Sequence, residues 1–350
     1  MRIDEEALAR AVQEDAFTGV VTIDVGDERV LEQAHGFAHR ALGVPCTPST
    51  RFAMASGSKM FTALAVLRLV EQGALALTTP VRTILRDDLP EIDDAVTVEH
   101  LLTHTSGIGD YLDEEADWDP HDHVLRQPVH VFDSAAAFLP ELTGFPQASP
   151  PGTRFMYNNG GYMVLAVVAE RVAGRTFHDL VRGEVLDRAG LTATDYLRSD
   201  DLPGHTAHGY LEESGNVTNV LHLPVLGNGD GGAWTTATDL HDFWRAFLAG
   251  RIVGPATVAE MVRPRHEVPG EDMRSGMGVF VHSTGDALII EGYDPGVSFR
   301  STHDPATATT VSVLGNSSEG AWPVIGALAT LFDGDPGDGE QGDAEDTGPA

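Results

Sequence analysis

The chain of 350 residues contains a single lysine, Lys59, and a single cysteine, Cys46. With one cysteine, the chain has neither an intrachain disulfide nor a cysteine metal cluster. No apolar run reaches the length of a membrane span, and the N-terminal segment lacks the apolar stretch typical of a signal peptide. These absences predict a cytoplasmic protein.

Positive charge is also scarce, because 22 lysine and arginine residues stand against 53 aspartate and glutamate residues, for a formal net charge of -31. Such a surface repels the phosphates of nucleic acids and the head groups of anionic membranes. We therefore expect neither a nucleic acid nor a membrane as partner, and the oligomeric state stays open. The acidity fits salt adaptation, and it equally fits a genome that encodes arginine in place of lysine.

The lone lysine stands three residues after Ser56. Apolar residues recur with helical spacing from Phe61 to Val70, which predicts a helix that begins near Ser56 and ends at Gly73. Residues three apart share a helix face, so the Ser56 hydroxyl and the Lys59 amine are expected within hydrogen-bond reach. A buried lysine can lose its proton, whereas arginine stays charged. Lys59 is therefore a candidate base for a nucleophilic Ser56.

Strand patterns lie at both ends of the sequence, and helix patterns lie between them. This order predicts an α/β (α+β) fold in which an antiparallel sheet from both chain ends is flanked by helices and carries an inserted, mainly helical lobe. The sheet lobe is predicted at 1–70 and 232–332, and the helical lobe at 71–231. Residues 333–350 have the composition of a disordered acidic tail. A cleft between two lobes is a favoured place for an active site.

Three further motifs accompany Ser56-x-x-Lys59. Tyr157-Asn158-Asn159 precedes an apolar helical stretch, residues 101–107 read Leu-Leu-Thr-His-Thr-Ser-Gly, and residues 231–240 precede a later helix. In this order and spacing, over about 15–332, the chain resembles the penicillin-recognising serine hydrolases. It is most similar to their class C β-lactamase-like branch, which includes DD-peptidases, D-aminopeptidases and Ser-x-x-Lys esterases. The resemblance implies a β-lactamase/transpeptidase-like fold.

The resemblance also implies a role for each matching position. Ser56 is the nucleophile that forms an acyl-enzyme, and its backbone N–H is one donor of the oxyanion hole. Lys59 helps to remove the serine proton, and Tyr157 acts as general base or as a proton relay to the leaving group. Asn159 hydrogen-bonds the acyl side chain of the substrate. Neither a cofactor nor a metal is expected.

The third motif of the family, Lys-Thr-Gly or His-x-Gly on a strand beside the site, has no clear counterpart. In the stretch 290–298, Tyr293 is expected at the basic position and Pro295 at the glycine. Proline has no N–H, so Gly296 is the expected second oxyanion donor, and Tyr293 and Gly296 are predicted to contact substrate. Without a basic residue there, recognition of a substrate carboxylate weakens.

The predicted substrate is therefore a small ester or amide without a carboxylate, as for an esterase or a D-aminopeptidase. A β-lactamase or DD-peptidase is the alternative within the class. A non-catalytic, penicillin-binding-like sensor or scaffold is the alternative from another class. Retention of Ser56, Lys59 and Tyr157 together argues against the scaffold.

Two other patterns carry less weight. The run Gly227–Gly232 matches a dinucleotide-binding fingerprint in letters, but it lacks the surrounding βαβ unit, so we expect it to bring backbone close to the cleft. A patch rich in histidine and aspartate fits a solvated acidic loop better than a metal site; it comprises Asp119, His121, Asp122, His123 and His130. His104 is expected to hydrogen-bond backbone near the cleft.

Overall fold

The computed structural model of the chain describes residues 3–14, 17–114, 122 and 124–332. The predicted acidic tail at 333–350 and most of the histidine- and aspartate-rich patch lie outside the described residues. Within the described ranges, no helix is both long enough and apolar enough to cross a membrane. The cytoplasmic location stays a prediction.

The strands lie mainly in two runs near the ends of the chain, and most of the helices, of very different length, lie between these runs. The strands are β1 (Gly19–Val25), β2 (Glu28–His35), β3 (Phe37–His39), β4 (Val44–Pro45), β5 (Phe52–Ala53), β6 (Asp195–Tyr196), β7 (Ala233–Thr235), β8 (His266–Glu267), β9 (Met273–Ser275), β10 (Phe280–His282), β11 (Leu288–Asp294), β12 (Val297–Asp304) and β13 (Thr309–Gly315). The helices are α1 (Glu5–Glu14), α2 (Lys59–Glu71), α3 (Arg82–Leu85), α4 (Val98–Leu102), α5 (Leu139–Leu142), α6 (Asn159–Ala173), α7 (Phe177–Val181), α8 (Asp187–Ala189), α9 (Ala237–Leu248), α10 (Pro255–Met261) and α11 (Trp322–Leu328).

The large sheet is antiparallel and unites both ends of the chain. Its strand order is β2-β1-β13-β12-β11-β10-β9-β8, and Gly19 of β1 pairs with Gly315 of β13. Every residue of β13 is buried, because α1 and α11 cover one face of the sheet while α9 packs on the other. The predicted fold class is confirmed.

Two buried helices, α2 and α6, pack against each other in the largest hydrophobic core described. Leu64, Val66 and Leu67 of α2 and Val164 and Leu165 of α6 are all core residues. Both helices are apolar around most of their circumference, as expected for helices without a solvent face. Each presents its first turn to the same place, where α2 begins with Lys59 and α6 begins with Asn159.

A small sheet joins the middle of the sequence to the large sheet. In it β7 pairs with β5 on one side and with β6 on the other. The chain leaves β5 and enters a 3-10 turn, Ala55–Ser58, which leads directly into α2. The glycine-rich loop at 227–232 runs into β7. The small sheet therefore brings this loop against the turn that carries Ser56. The division into two lobes stays a prediction.

Candidate active site

The amine of Lys59 lies 2.8 Å from the hydroxyl oxygen of Ser56. Ser56 is half-buried in the 3-10 turn, and Lys59, at 4% exposure, is the first residue of α2. The spacing of three residues places both side chains on one side of the turn, as the sequence predicts. The lysine Nζ also donates to Asn159 Oδ1 at 2.7 Å and to the carbonyl oxygen of Asp230 at 2.6 Å.

These three contacts define how the amine can act. The two carbonyl-type oxygens can only accept, so each must receive an N–H from Lys59. The Ser56 hydroxyl can either accept or donate. A neutral lysine therefore gives its two N–H groups to Asn159 and Asp230 and directs its lone pair at the Ser56 O–H. This is the geometry that a base needs to take the serine proton.

Burial lowers the pKa of the Lys59 amine, which favours this neutral form. Asp230, Glu114, Asp294 and Asp110 act in the opposite direction, because their negative charge stabilises the ammonium form. Burial in turn raises the pKa of the Asp110 carboxyl to about 7 and that of Asp294 to about 8. The titration of Lys59 is thus coupled to that of these carboxyl groups, so the charge of each group depends on the charges of the others.

Tyr157 completes the group around Ser56. Its hydroxyl hydrogen-bonds the Ser56 side chain, and its ring centroid lies 5.0 Å from Lys59 Nζ. Burial, with the nearby charge of Glu114, raises the pKa of the Tyr157 hydroxyl well above its ordinary value. Tyr157 therefore keeps its proton at neutral pH. This favours the relay role over the role of a tyrosinate base.

His104 packs against the ring of Tyr157. The two rings stack with centroids 4.6 Å apart, and His104 Nδ1 accepts the backbone N–H of Asn158 at 3.0 Å. Burial, together with the charge of Lys59, lowers the pKa of the imidazole to about 3. The ring is therefore neutral, and its contact with backbone agrees with the structural role expected for it.

Asn159 does not present an unused amide to a substrate. Its Oδ1 accepts from Lys59, and its Nδ2 donates to the carbonyl oxygen of Leu112 at 3.0 Å and to Glu114 Oε1 at 2.7 Å. Sequence reasoning assigned this residue to substrate binding, and that role stays a prediction. The observed contacts instead connect it to the lysine.

The glycine-rich loop supplies a contact that the sequence pattern did not specify, the carbonyl oxygen of Asp230. A β-carbon on Gly229 would lie 2.2 Å from the carbonyl oxygen of Tyr162, so only glycine lets the loop come this close to α6. Thr62 of α2 donates to the Gly229 carbonyl at 2.6 Å. The run of glycines predicted a close approach of backbone to the cleft. It did not identify the Asp230 carbonyl oxygen as a hydrogen-bond acceptor for Lys59.

The strand beside Ser56 is β11, and its contact residue is Gly292. A β-carbon there would lie 2.6 Å from the backbone nitrogen of Ser56 and 2.4 Å from the carbonyl oxygen of Met54. Gly292 is therefore the residue of β11 that meets the Ser56 backbone. This differs from the expected register, which placed Pro295 at the glycine beside the site.

Gly296 is directed elsewhere. Its N–H donates to the Ser318 hydroxyl at 2.8 Å, and its backbone packs against Gly209 and Tyr210. It forms the turn between β11 and β12 with φ of +78°, a conformation that glycine adopts easily. The expectation that Gly296 is the second oxyanion donor is wrong, because its N–H is already used in the turn.

In contrast to Gly296, Tyr293 directs its backbone N–H toward Ser56. Successive residues of an antiparallel strand direct their backbone groups alternately to opposite sides. Asp294 and Val297 close the hairpin of β11 and β12. Tyr293, one residue earlier, therefore directs its N–H away from β12, toward the side on which Ser56 lies. Tyr293 stays a candidate contact through its backbone.

A cavity of about 320 Å³ opens in front of Ser56. Tyr293 and Trp234 contribute to its wall, and three carboxylate residues, Glu114, Asp230 and Asp294, also line it. Among the described residues that line this cavity there is no lysine or arginine. In the described part of the chain, no group of three or more histidine, cysteine, aspartate or glutamate residues could hold a metal ion.

Comparison with known proteins agrees with this geometry. A sequence profile described as Beta-lactamase matches residues 5–332. The chain belongs to the Beta-lactamase family. This membership supports the resemblance to penicillin-recognising serine hydrolases that the motifs indicate.

Three known proteins are similar to this chain, and the similarity covers a different share of the chain in each case. The crystal structure of a penicillin-binding protein from Bacillus halodurans is 37% identical, covers 93% of this chain and 100% of that chain, and superposes with a TM-score of 0.86. Penicillin-binding protein 4 of Amycolatopsis lactamdurans is 31% identical over 70% of this chain and 64% of its own length. Esterase EstB of Burkholderia gladioli is 33% identical over 55% of this chain and 50% of its own length.

Proposed function

We propose that the protein hydrolyses a small ester or amide through a covalent acyl-enzyme on Ser56. The observation that carries the proposal is the Lys59 amine 2.8 Å from the Ser56 hydroxyl, with two carbonyl oxygens that hold its other N–H groups. A serine hydroxyl is a weak nucleophile until a nearby base takes its proton. Burial favours the neutral form of Lys59, which can take this proton, because it lowers the pKa of the amine.

In the first step the Ser56 oxygen forms a bond to the substrate carbonyl carbon while its proton passes to Lys59. The negative charge that develops on the carbonyl oxygen is stabilised by the backbone N–H groups of Ser56 and Tyr293. The bond to the leaving group then breaks, and the alcohol or amine takes the proton from Lys59 through the Tyr157 hydroxyl. In the second step a water molecule gives a proton to Lys59 while its oxygen bonds to the acyl carbonyl carbon. The bond from that carbon to the Ser56 oxygen then breaks, the carboxylic acid product leaves, and the Ser56 oxygen takes the proton back from Lys59.

The side chains around the cavity support a substrate class. The described lining includes no lysine or arginine, and the cavity wall carries Glu114, Asp230 and Asp294. An acidic site penalises a carboxylate on the substrate and tolerates a neutral or cationic group. The proposed substrates are neutral esters and amides and those that carry an amine, such as amino acid esters or amides.

Labelling with a fluorophosphonate tests the nucleophile. Wild-type protein is expected to gain one label on Ser56, located by peptide mass spectrometry, and Ser56→Ala is expected to lose it. Ser49→Ala, which changes an exposed serine, is the matched control and keeps the label. A wild-type protein that takes no label supports the non-catalytic scaffold instead.

A substrate panel tests the class. We expect turnover of p-nitrophenyl esters and aminoacyl amides and little turnover of nitrocefin, which carries a carboxylate. A nitrocefin rate above the ester rate overturns the proposed substrate class and favours a β-lactamase.

A further inference from the structure

The carboxylate of Asp110 accepts hydrogen bonds from the N-terminus of α6. Its Oδ2 accepts the N–H of Asn159 at 2.6 Å, and its Oδ1 accepts the N–H of Gly160 at 2.8 Å. The first N–H groups of a helix have no partner within the helix, and they favour negative charge. Asn158 already caps the helix through the N–H of Gly161 at 2.6 Å. Asp110 therefore adds a second acceptor to a helix that is already capped, and this acceptor is charged once its carboxyl ionises at about pH 7.

The residue held by this carboxylate also holds the lysine. Asn159 is the first residue of α6, and its side-chain oxygen accepts a hydrogen bond from Lys59 at 2.7 Å. The other end of the same amide is bonded to Leu112 and Glu114, which follow Asp110 in the chain. The segment 110–114 thus fixes both the backbone and the side chain of Asn159.

The same segment also reaches the second acceptor of the lysine. The hydroxyl of Tyr111 donates to Asp230 Oδ2 at 2.5 Å, and the backbone oxygen of Asp230 accepts from Lys59 at 2.6 Å. Both oxygens that receive N–H groups from Lys59 therefore belong to residues bonded to Asp110 or to its neighbour Tyr111.

We propose that Asp110 is a positioning residue for Lys59: through Asn159 it holds the amine so that its lone pair faces the Ser56 hydroxyl. The inference rests on the proposed function, in which Lys59 is the base. Asp110 touches neither Ser56 nor the amine itself. Its effect is to fix the direction of two N–H bonds, and with them the direction of the lone pair.

The charge of Asp110 has a second consequence, because a carboxylate nearby stabilises the ammonium form of Lys59 and raises its pKa. The titratable groups around the amine are Asp230, Glu114, Asp294, Asp110, His104, Tyr157 and Tyr162. The base must be deprotonated to act, so kcat/KM rises with pH through the lysine pKa. In the pH range above about 7, where Asp110 is ionised, removal of its charge lowers the lysine pKa, and the acid limb of the profile moves to lower pH.

The test compares Asp110→Asn, Asp110→Glu and Asp87→Asn by pH profile of kcat/KM and by kcat at saturation on a p-nitrophenyl ester. Active sites are counted by fluorophosphonate labelling. Asp110→Asn is expected to lower kcat per active site at least about tenfold, with KM changed less than about threefold and the acid limb moved down by about 0.5 pH unit. Asp110→Glu keeps the charge, so it leaves the limb in place and lowers kcat. Asp87→Asn changes an exposed carboxylate outside this segment and leaves both unchanged.

A purely structural role predicts fewer active sites and a lower Tm for Asp110→Asn, but an unchanged kcat per site and an unchanged limb; that result overturns the inference. If Asp110→Asn does not fold, Tyr111→Phe decides, because it removes one hydroxyl from the same arrangement. It is expected to lower kcat per active site about threefold or more, and an unchanged kcat there counts against the inference. If the wild-type protein shows neither label nor turnover, the proposed function fails first, so the two failures are distinguishable.

Discussion

Gly292 of β11 and Ser56 are in direct backbone contact, since a β-carbon on Gly292 would lie 2.6 Å from the Ser56 nitrogen. The same β-carbon would lie 2.9 Å from the β-carbon of Ala55, which has φ of +42°. Non-glycine residues rarely adopt positive φ. The turn that presents the nucleophile is therefore strained at Ala55, and the strand beside it has no side chain at the point of contact.

Gly292→Ala is expected to reduce both stability and activity. The atoms in the way belong to backbone, so no change of rotamer relieves the overlap, and overpacking of this kind costs about 1–3 kcal/mol. Separation of β11 from the Ser56 turn also widens the oxyanion site, so kcat/KM is expected to fall at least about tenfold. Thermal unfolding and ester hydrolysis measure the two effects.

Gly326→Ala is the matched control for that substitution. Gly326 is exposed in α11, and a β-carbon there meets nothing within 4 Å. Alanine in a helix is favoured over glycine by about 0.5–1 kcal/mol, so this variant is expected to be slightly more stable and fully active. A Gly292→Ala protein as stable and active as Gly326→Ala would contradict the contact.

Lys59→Met is expected to lower kcat/KM by roughly 10²–10⁴-fold, the usual contribution of a positioned base. Methionine matches the length of the lysine stem but carries no amine to take the serine proton. The measurement is ester hydrolysis per folded molecule, with Arg10→Met, an exposed change on α1, as control. Retention of more than about a tenth of the wild-type rate would show that another group is the base.

His104 is expected to stay neutral at pH 5. Burial holds the pKa of its imidazole at about 3, and its Nδ1 is occupied by the Asn158 N–H. The unfolded chain binds a proton at this histidine below about pH 6.5, while the folded chain does not. Folding stability is therefore lost progressively as pH falls from 6.5 toward 3.

In His104→Gln the loss of stability between pH 7 and pH 5 should be smaller by about 2 kcal/mol, because the histidine no longer contributes to it. Nitrogen NMR shifts of the imidazole and urea unfolding at both pH values check this. A His104 signal that titrates near pH 6 would contradict the buried, neutral state.

Asp294 is expected to select for positive charge on the substrate once it is ionised. Burial raises the pKa of its carboxyl to about 8, so the preference should grow as pH rises from 6 to 8.5. The readout is the ratio of kcat/KM for an ester with a trimethylammonium group to that for its tert-butyl isostere, whose charge does not vary with pH. Asp294→Asn should lower the ratio about tenfold at pH 8.5, or about 1.4 kcal/mol, and remove its pH dependence. A ratio insensitive to both changes argues against a role for this carboxyl.

Local features of the structure were predictable from the residues. The hairpin of β1 and β2, the end of α6 at Gly174 and the cap of α9 at Thr236 depend on neighbours within a few positions. The approach of Ser56 and Lys59 belongs to the same class, since one helical turn accounts for it. The Thr236 side chain caps α9, and the Asp239 carboxylate accepts hydrogen bonds from the Ala193 N–H and the Thr194 hydroxyl.

Contacts between distant segments were not predictable in the same way. The carboxylates of Asp110, Asp230 and Asp294 were not singled out: Asp230 lies in the glycine-rich run and Asp294 in the stretch 290–298, but neither pattern assigns a role to an acidic side chain. The register of the third motif was misplaced, because the letters around 290–298 allow several alignments with Lys-Thr-Gly. The choice between Gly292 and Gly296 depends on which one meets the Ser56 backbone, and that contact joins residues more than two hundred positions apart.

The pairing of Ser56 with Lys59 was therefore predictable from the order of residues, because the amine lies a single turn from the hydroxyl at the start of an apolar helix. The surroundings that tune this pair come from α6, the segment 110–114, the glycine-rich loop and β11, which meet when the chain has folded. Proton affinity depends on burial and on charges within a few ångströms, so the lowered pKa of Lys59 is a property of that assembly and not of the motif.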